Sequence, residues 1–443
     1  MRYFPPIISL SGLFLLMTSC SSGQITQKEA EFAFTQKYLL KDESLRDYYS
    51  IEEEGIMMYS SPEAKFEQSP EIILYRDEFN TFLMLSQTLP ADSFLNLYQN
   101  KGTERWNDSL FSDMLESHVD FSSIDSTKPL TGWRIAIDPG HIAGDFEMAE
   151  IEGKYMKMHP SPMTDMQPIQ FFEANLALGT AHIVREKLEE MGAMVLMSRT
   201  EPNTGALGIT FEEWRREWFP QLLSEEIEEN GMTRKREIWW KTQAKDKDLM
   251  SGFFIPQDLK ERAKKINAFQ PHLTLIIHYN VDSPNWEKRD EEGYFVPTGE
   301  NYCMAFVPGS FMKGELEKPE ARVEFLRLLI SDEIEKSIHL SDAFIRNSTK
   351  ITGVPIVDPE YPLGYLHRAS ILSDYPGVYA RNLTLSRLIK GPLCYGESLC
   401  QDNIIECQAL NQSDANIGNF MVSSRVKTVA EAYVQAVLDY VNQ

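Results

Sequence analysis

Ile135-Ala136-Ile137-Asp138-Pro139-Gly140-His141 reads as a buried strand that halts at a tight turn and presents a histidine. An apolar run closed by Asp-Pro-Gly ends a strand abruptly, which leaves the next side chain at the strand's C-terminal mouth. In open α/β sheets, ligands and reacting groups collect at that mouth. A second run, Leu273-Thr274-Leu275-Ile276-Ile277, ends the same way, in His278-Tyr279-Asn280. Between the two, Glu173 opens an amphipathic helix whose stripe is Leu176, Ile183, Val184, Leu188 and Met191, with a stop at Gly192. The positive end of that helix dipole favours the ionised carboxylate that a metal ligand must be. Two histidines and a carboxylate from separate elements make an open zinc site with one position left for water. His141, Glu173 and His278 are therefore the expected metal ligands, and the chemistry expected of them is metal-dependent hydrolysis.

Outward from these runs, strands alternate with helices from Trp133 onward, which predicts an α/β fold with a mostly parallel central sheet flanked by helices. One later helix is expected from about Pro319 to His339. A last one, Val426 to Val441, repeats Val426, Val429, Tyr433, Val437 and Tyr440 at helical spacing. Residues 131–443 form the expected catalytic domain. Residues 21–130 read as a tether and an N-terminal acidic accessory region, with helix-like pieces Ser69–Leu89 and Asp92–Tyr98 and a short apolar run Gly55–Tyr59. That region carries no ligand or nucleophile pattern, and suits a packing collar or a cell-wall or partner-binding surface. An insertion at residues 203–256 carries Trp214, Trp218, Trp239 and Trp240 among many charges. It is expected either to bury itself against the main domain or to form a lid that shapes or occludes the groove, since most strand–helix connections run about 2–6 residues.

The order of these pieces resembles the zinc-dependent N-acetylmuramoyl-L-alanine amidases, which cleave peptidoglycan between the sugar and its stem peptide. The resemblance is carried by Asp138-Pro139-Gly140-His141, Glu173-Ala174-Asn175-Leu176, the strand Gly192–Thr200 with its Ser198-Arg199 ending, Arg262 and Asn267 of the next helix, and Ile277-His278-Tyr279-Asn280. Near the C-terminus, Gly391-Pro392-Leu393-Cys394-Tyr395-Gly396-Glu397, followed by Asn403 and Glu406, resembles the strand that delivers the family's catalytic glutamate. The resemblance implies Zn²⁺ as cofactor, peptidoglycan as substrate and Glu397 as the group that takes the water's proton and passes it to the departing nitrogen. Two features depart from the family pattern: Ile142-Ala143-Gly144 replaces a two-glycine turn with a long connection from His141 to Glu173, and residues 203–256 are inserted before the Arg262 helix. A zinc peptidase of similar fold and a non-catalytic cell-wall-binding lipoprotein are the competing readings. The order of the strands and Arg262…Asn267 favour the amidase over the peptidase, and the intact quartet argues against a degenerate site.

Other residues receive narrower roles. Asn280 is expected to orient the His278 loop or meet substrate, and His367 to reach substrate or an oxyanion. Asp145 and Glu150 are candidate partners behind the His141 ligand. His182, His272 and His339 read as structural. A formal charge of −23 over 443 residues argues against nucleic acid and against an electrostatic grip on anionic lipid. Residues 1–20 read as a signal peptide, with an apolar stretch Ile7 to Met17 too short to span a bilayer. Leu16-Met17-Thr18-Ser19-Cys20 resembles a bacterial lipobox, which implies lipidation at Cys20, a membrane link through that anchor alone and a place at the outer membrane facing the periplasm. Cys303, Cys394, Cys400 and Cys407 remain after cleavage. In an exported chain they allow disulfides, Cys400–Cys407 among them, or stay as buried thiols. An activating protein partner is left open.

Overall fold

The apolar runs of the C-terminal three quarters assemble into one seven-stranded sheet in this computed structural model, which describes residues 31–106, 128–159, 168–229, 231–417 and 420–443. In chain order the strands are β1 (Tyr49–Ile51), β2 (Gly55–Met58), β3 (Ile72–Tyr75), β4 (Arg134–Pro139), β5 (Tyr155–Met158), β6 (Ile169–Phe172), β7 (Met194–Met197), β8 (Leu273–Asn280), β9 (Met304–Val307), β10 (Ser370–Leu372), β11 (Val378–Arg381), β12 (Leu393–Cys400), β13 (Ala415–Ile417) and β14 (Phe420–Val422). The large sheet runs β10-β11-β9-β12-β8-β4-β7. Strands β12, β8, β4 and β7 are parallel; β9 runs against β12 with β11 parallel to it, and β10 turns back along β11. The mostly parallel sheet flanked by helices is thus the architecture the sequence predicts.

The period-2 alternation of strands sorts the two faces. Ile135, Ile137, Leu275, Ile277 and Cys394 join the main core. It is covered by the helices Glu173–Glu190, Glu333–Thr352 and Ser424–Val441, where Phe344 stacks on Tyr433 with ring centroids 4.4 Å apart. Ala136, Ile276 and Leu393 face the other way, against Ala263 and Ile266 of the helix Ile255–Phe269. His278, Tyr395 and Glu397 share the parity of this second face and stand at its open end. All of β8 is buried, as befits a central parallel strand.

Two expected helices are corrected. The segment Ser69–Leu89 divides into β3, paired with β2, and the helix Phe79–Thr88, because Ile72 and Leu74 alternate inward. The helix expected over Pro319–His339 breaks at Ser331 and continues as Glu333–Thr352, with buried Arg327 ion-paired to Glu333 across the break. The accessory region is stitched to the sheet domain. Ser310 and Phe311 amides donate to the Tyr38 and Leu39 carbonyls at 2.6 and 2.7 Å, and Glu71 pairs with Arg322 at 2.7 Å. Tyr38, Tyr98 and Leu130 share one apolar core with the central strands. No helix among the described residues is long and apolar enough to cross a membrane.

Candidate metal centre

Pro139-Gly140 closes β4, and the Gly140 amide donates to the Ile277 carbonyl of β8 at 3.0 Å. A Cβ on Gly140 would fall 2.5–2.7 Å from the His278 ring, so only glycine lets the two histidine-bearing segments meet here. His141 then takes a left-handed backbone, φ 61°. Its ring meets His278 edge-on, with centroids 4.8 Å apart. Glu173 stands between them, Oε2 3.1 Å from His141 Nε2 and Oε1 3.0 Å from His278 Nδ1. One ligand atom from each of the three residues lies within 4.8 Å of the others. His141 Nε2 is buried and makes no well-formed hydrogen bond. A buried ring nitrogen without a well-formed hydrogen bond is uncommon, and a cation shared with Glu173 and His278 would satisfy it. Two imidazoles and one carboxylate suit zinc, with a fourth position left open. The residues present therefore fit that metal.

The shell behind these ligands is as specific as the ligands. His141 Nδ1 lies 3.0 Å from Glu152 Oε1, while Glu152 Oε2 accepts from the Ile142 and Ala143 amides at 3.3 and 3.2 Å. A carboxylate on Nδ1 fixes the tautomer that leaves Nε2 for a metal. Burial pushes the His141 imidazole down, but Glu173 and Glu152 outweigh it and raise the group to about 9. Burial also opposes ionisation of Glu152, and His141 with the two amides overcomes it, so this carboxyl lies below its usual range. His278 stacks on Tyr395 at 4.6 Å, and burial lowers it despite Glu173.

Two buried arginines hold the turn. Arg199 donates to the Pro139, Gly140 and Ala174 carbonyls at 3.1, 2.9 and 2.9 Å, tying the His141 turn to the helix that begins at Glu173. Arg262 donates to the Pro139 and His141 carbonyls at 2.7 Å each and pairs with Asp258 and Asp138. Ser198 donates to the same Asp138 carboxylate. Asn267 clamps the segment before β12 by bonding the Leu388 carbonyl and the Lys390 amide at 2.9 Å each.

A cavity of about 200 Å³ opens over the site, lined among others by Tyr395, Asn280, Glu397, Lys154 and Arg381. Glu397 lies directly across from His278 in the β12–β8 register. Its carboxylate makes no hydrogen bond or ion pair among the described residues. Burial and the nearby Glu173 charge push it up to about 8, against the pull of Lys154, His141 and Arg381. A carboxyl held near neutrality is suited to taking and giving protons.

The four residues His141, Glu173, His278 and Glu397 are thus brought together, and Asn280 joins the cavity wall, with its Oδ1 accepting from the Val281 amide at 2.8 Å. His367 is not brought in. It lies exposed on the helix Gly364–Ala369 with Nε2 3.2 Å from the Tyr361 carbonyl. Of the candidate partners of His141, Glu150 is exposed and Asp145 caps the helix Phe146–Glu152 through the Met148 amide, so Glu152 holds the place expected of them. Glu152 follows buried Ala149 by three residues, the spacing that puts both on one helix face. Lys154 and Arg381 were also missed. His182 contacts the Thr200 carbonyl and His272 accepts from the Arg134 amide, both structural as expected. Cys303, Cys394, Cys400 and Cys407 are buried free thiols. Cys20 lies outside the described residues.

No described residue of the 203–256 insertion lines the cavity. Trp214 is fully buried against Phe211 and Phe254, and this cluster reaches Ile142, Met148 and Ile151. The insertion therefore braces the loop and helix that present His141 and Glu152.

No family model and no curated protein matches the chain. Several solved structures align with part of it. The CwlD amidase from Clostridioides difficile, in complex with the GerS lipoprotein, is 14% identical over 70% of this chain and 98% of that one, with a TM-score of 0.35. An N-acetylmuramyl-L-alanine amidase from Mycobacterium smegmatis is 15% identical over 71% and 98%, TM-score 0.36. The catalytic domain of CwlV, an N-acetylmuramoyl-L-alanine amidase from Bacillus (Paenibacillus) polymyxa var. colistinus, is 12% identical over 70% and 98%, TM-score 0.35.

Proposed function

We propose that this chain is a zinc-dependent N-acetylmuramoyl-L-alanine amidase, hydrolysing the amide between the muramic acid lactyl group and L-alanine of peptidoglycan. The observation that carries the reading is the convergence of His141, Glu173 and His278 beside a partner-free Glu397. Bound zinc supplies a Lewis acid for the carbonyl and a water of lowered pKa. Glu397 accepts the proton of the attacking water and returns it to the amine nitrogen as the C–N bond breaks. Glu152 keeps the His141 ring in the ligating tautomer, and Tyr395 packs flat on His278 to fix its plane. Arg199 and Arg262 hold the backbone that carries the first ligand. Cys20, in its lipobox-like context, is proposed as the lipid anchor that keeps the enzyme at the outer membrane beside its substrate.

The test is digestion of purified peptidoglycan with the zinc-loaded soluble chain, followed by masses of the released fragments. Free stem peptides with an L-alanine N-terminus support the amidase. Fragments cut within the stem make the protein a peptidase of the same fold, and intact sacculi refute both. Metabolic lipid labelling of the wild type and of Cys20→Ala tests the anchor separately.

A further inference from the structure

Lys154 and Arg381 are cations that line the cavity with no anionic partner among the described residues. Their acidic surroundings make this informative, because the chain carries 43 Lys and Arg against 66 Asp and Glu. The other buried cations beside the metal turn are committed, Arg199 to three carbonyls and Arg262 to two carboxylates. Among the described residues, neither the Lys154 ammonium nor the Arg381 guanidinium makes a hydrogen bond or an ion pair. Both are half-buried rather than free in solvent.

Their backbones are fixed. The Lys154 carbonyl accepts from the Glu173 amide at 3.3 Å and its own amide donates to Ala149 at 2.9 Å, so it is anchored beside a metal ligand. Arg381 ends β11 on the same sheet face as Phe306 and Tyr395. Its guanidinium lies 5.0 Å from the Phe306 ring centre and 4.7 Å from that of Tyr365. Aromatic faces hold the guanidinium in place without consuming its N–H edges. Two positioned and unsatisfied cations in one concave site are what an anionic group on the ligand requires.

We propose that Lys154 and Arg381 form a carboxylate subsite, which receives a free carboxylate of the peptide attached to the scissile amide; this rests on the amidase reading above. The subsite also offsets the repulsion that Glu173 and an acidic chain exert on an anionic substrate. A purely internal role, in which the two cations only neutralise Glu173 and Glu397, makes the opposite forecast, because it is blind to the charge of the peptide.

The probes are two N-acetylmuramoyl dipeptides that differ only in whether the second residue carries a free α-carboxylate or its carboxamide. Binding is measured by calorimetry to the zinc-loaded Glu397→Gln protein, in which hydrolysis is blocked. The carboxylate form should bind at least about tenfold more tightly, the usual worth of one charge-assisted hydrogen bond. Adding Arg381→Gln or Lys154→Gln should narrow that ratio, and Arg381→Lys should restore part of it. Circular dichroism and a thermal melt check that each variant folds. Equal binding of the two probes, no binding of either, or losses that fall equally on both overturn the subsite. Digestion of peptidoglycan by the wild type decides the amidase reading on its own, so the two failures are distinguishable.

Discussion

His141 occupies a left-handed backbone that costs a side-chain-bearing residue of order 1 kcal/mol or more, and such strain persists only where neighbours over-determine it. Here the neighbours are Arg262 on its carbonyl and Glu152 on its ring. Glu152→Gln keeps the size but removes the charge that fixes the ring, and zinc affinity should fall by about 10–100-fold in a chelator competition. Glu397→Gln should behave in the opposite sense, retaining about one zinc per chain by elemental analysis while turnover falls by about 10²–10⁴-fold. A metal-free Glu397→Gln protein makes that residue a ligand and not a proton carrier. The convergence of His141, Glu173 and His278 was legible in the sequence because a strand end or a first helical turn places each side chain at the mouth of the sheet. Glu152 was not legible, since its helix folds back toward His141 and only the three-dimensional return brings it into contact. Arg381 was hidden for a related reason: it lies on β11, separated from β12 by β9, and reaches the site only along the sheet face.

At the scale of elements, the helix Ile255–Phe269 carries more than packing. Its Arg262 neutralises Asp138 and Asp258 in full burial while bonding the metal turn. Arg262→Met should therefore destabilise by roughly 3–5 kcal/mol in urea unfolding, the usual cost of leaving buried charges unpaired. The insertion is the element whose role changed most between sequence and structure. Four tryptophans near the site suggested a lid as readily as a buried excursion, since aromatic content alone does not say which surface the rings cover. In the fold, Trp214 belongs to a core that includes Ile142 and Met148. Replacing residues 203–256 with a short Gly/Ser linker should thus lower zinc occupancy by loosening Glu152. A rise in peptidoglycan hydrolysis with zinc retained would instead restore the lid. The misread helix over Ser69–Leu89 has its own cause, because four residues of alternating burial in β3 are too short a run to outweigh the helical spacing that follows.

At the scale of the whole molecule, buried groups outside the His141, Glu173 and His278 cluster also titrate. Burial raises the Asp402 carboxyl to about 6, although the Asp282 amide and Asn285 stabilise its charge. A folded pKa above the unfolded value of about 3.9 means stabilisation that is complete below pH ~4 and lost as pH rises through ~6. Asp402→Asn should then leave stability flatter between pH 4 and 6 and raise it near pH 7.5 by up to about 2 kcal/mol, measured by denaturation at each pH. Glu324 acts with the reverse sign. Burial opposes its charge, yet Lys390 and Arg327 dominate and hold it below the usual range, so its contribution disappears on acidification. The fold class was legible in the alternation of apolar runs, whereas these buried charges were not, because their partners lie far apart in the chain. The four thiols of the described residues carry one more consequence. Cys303, Cys394, Cys400 and Cys407 are each enclosed and unbridged, and burial raises every one of them away from the reactive thiolate form. Folding therefore waits on no oxidant, and refolding yield should be indifferent to the glutathione ratio. A maleimide reporter will stay silent on the native protein and light up only as the chain opens, so these cysteines serve as a built-in clock for unfolding.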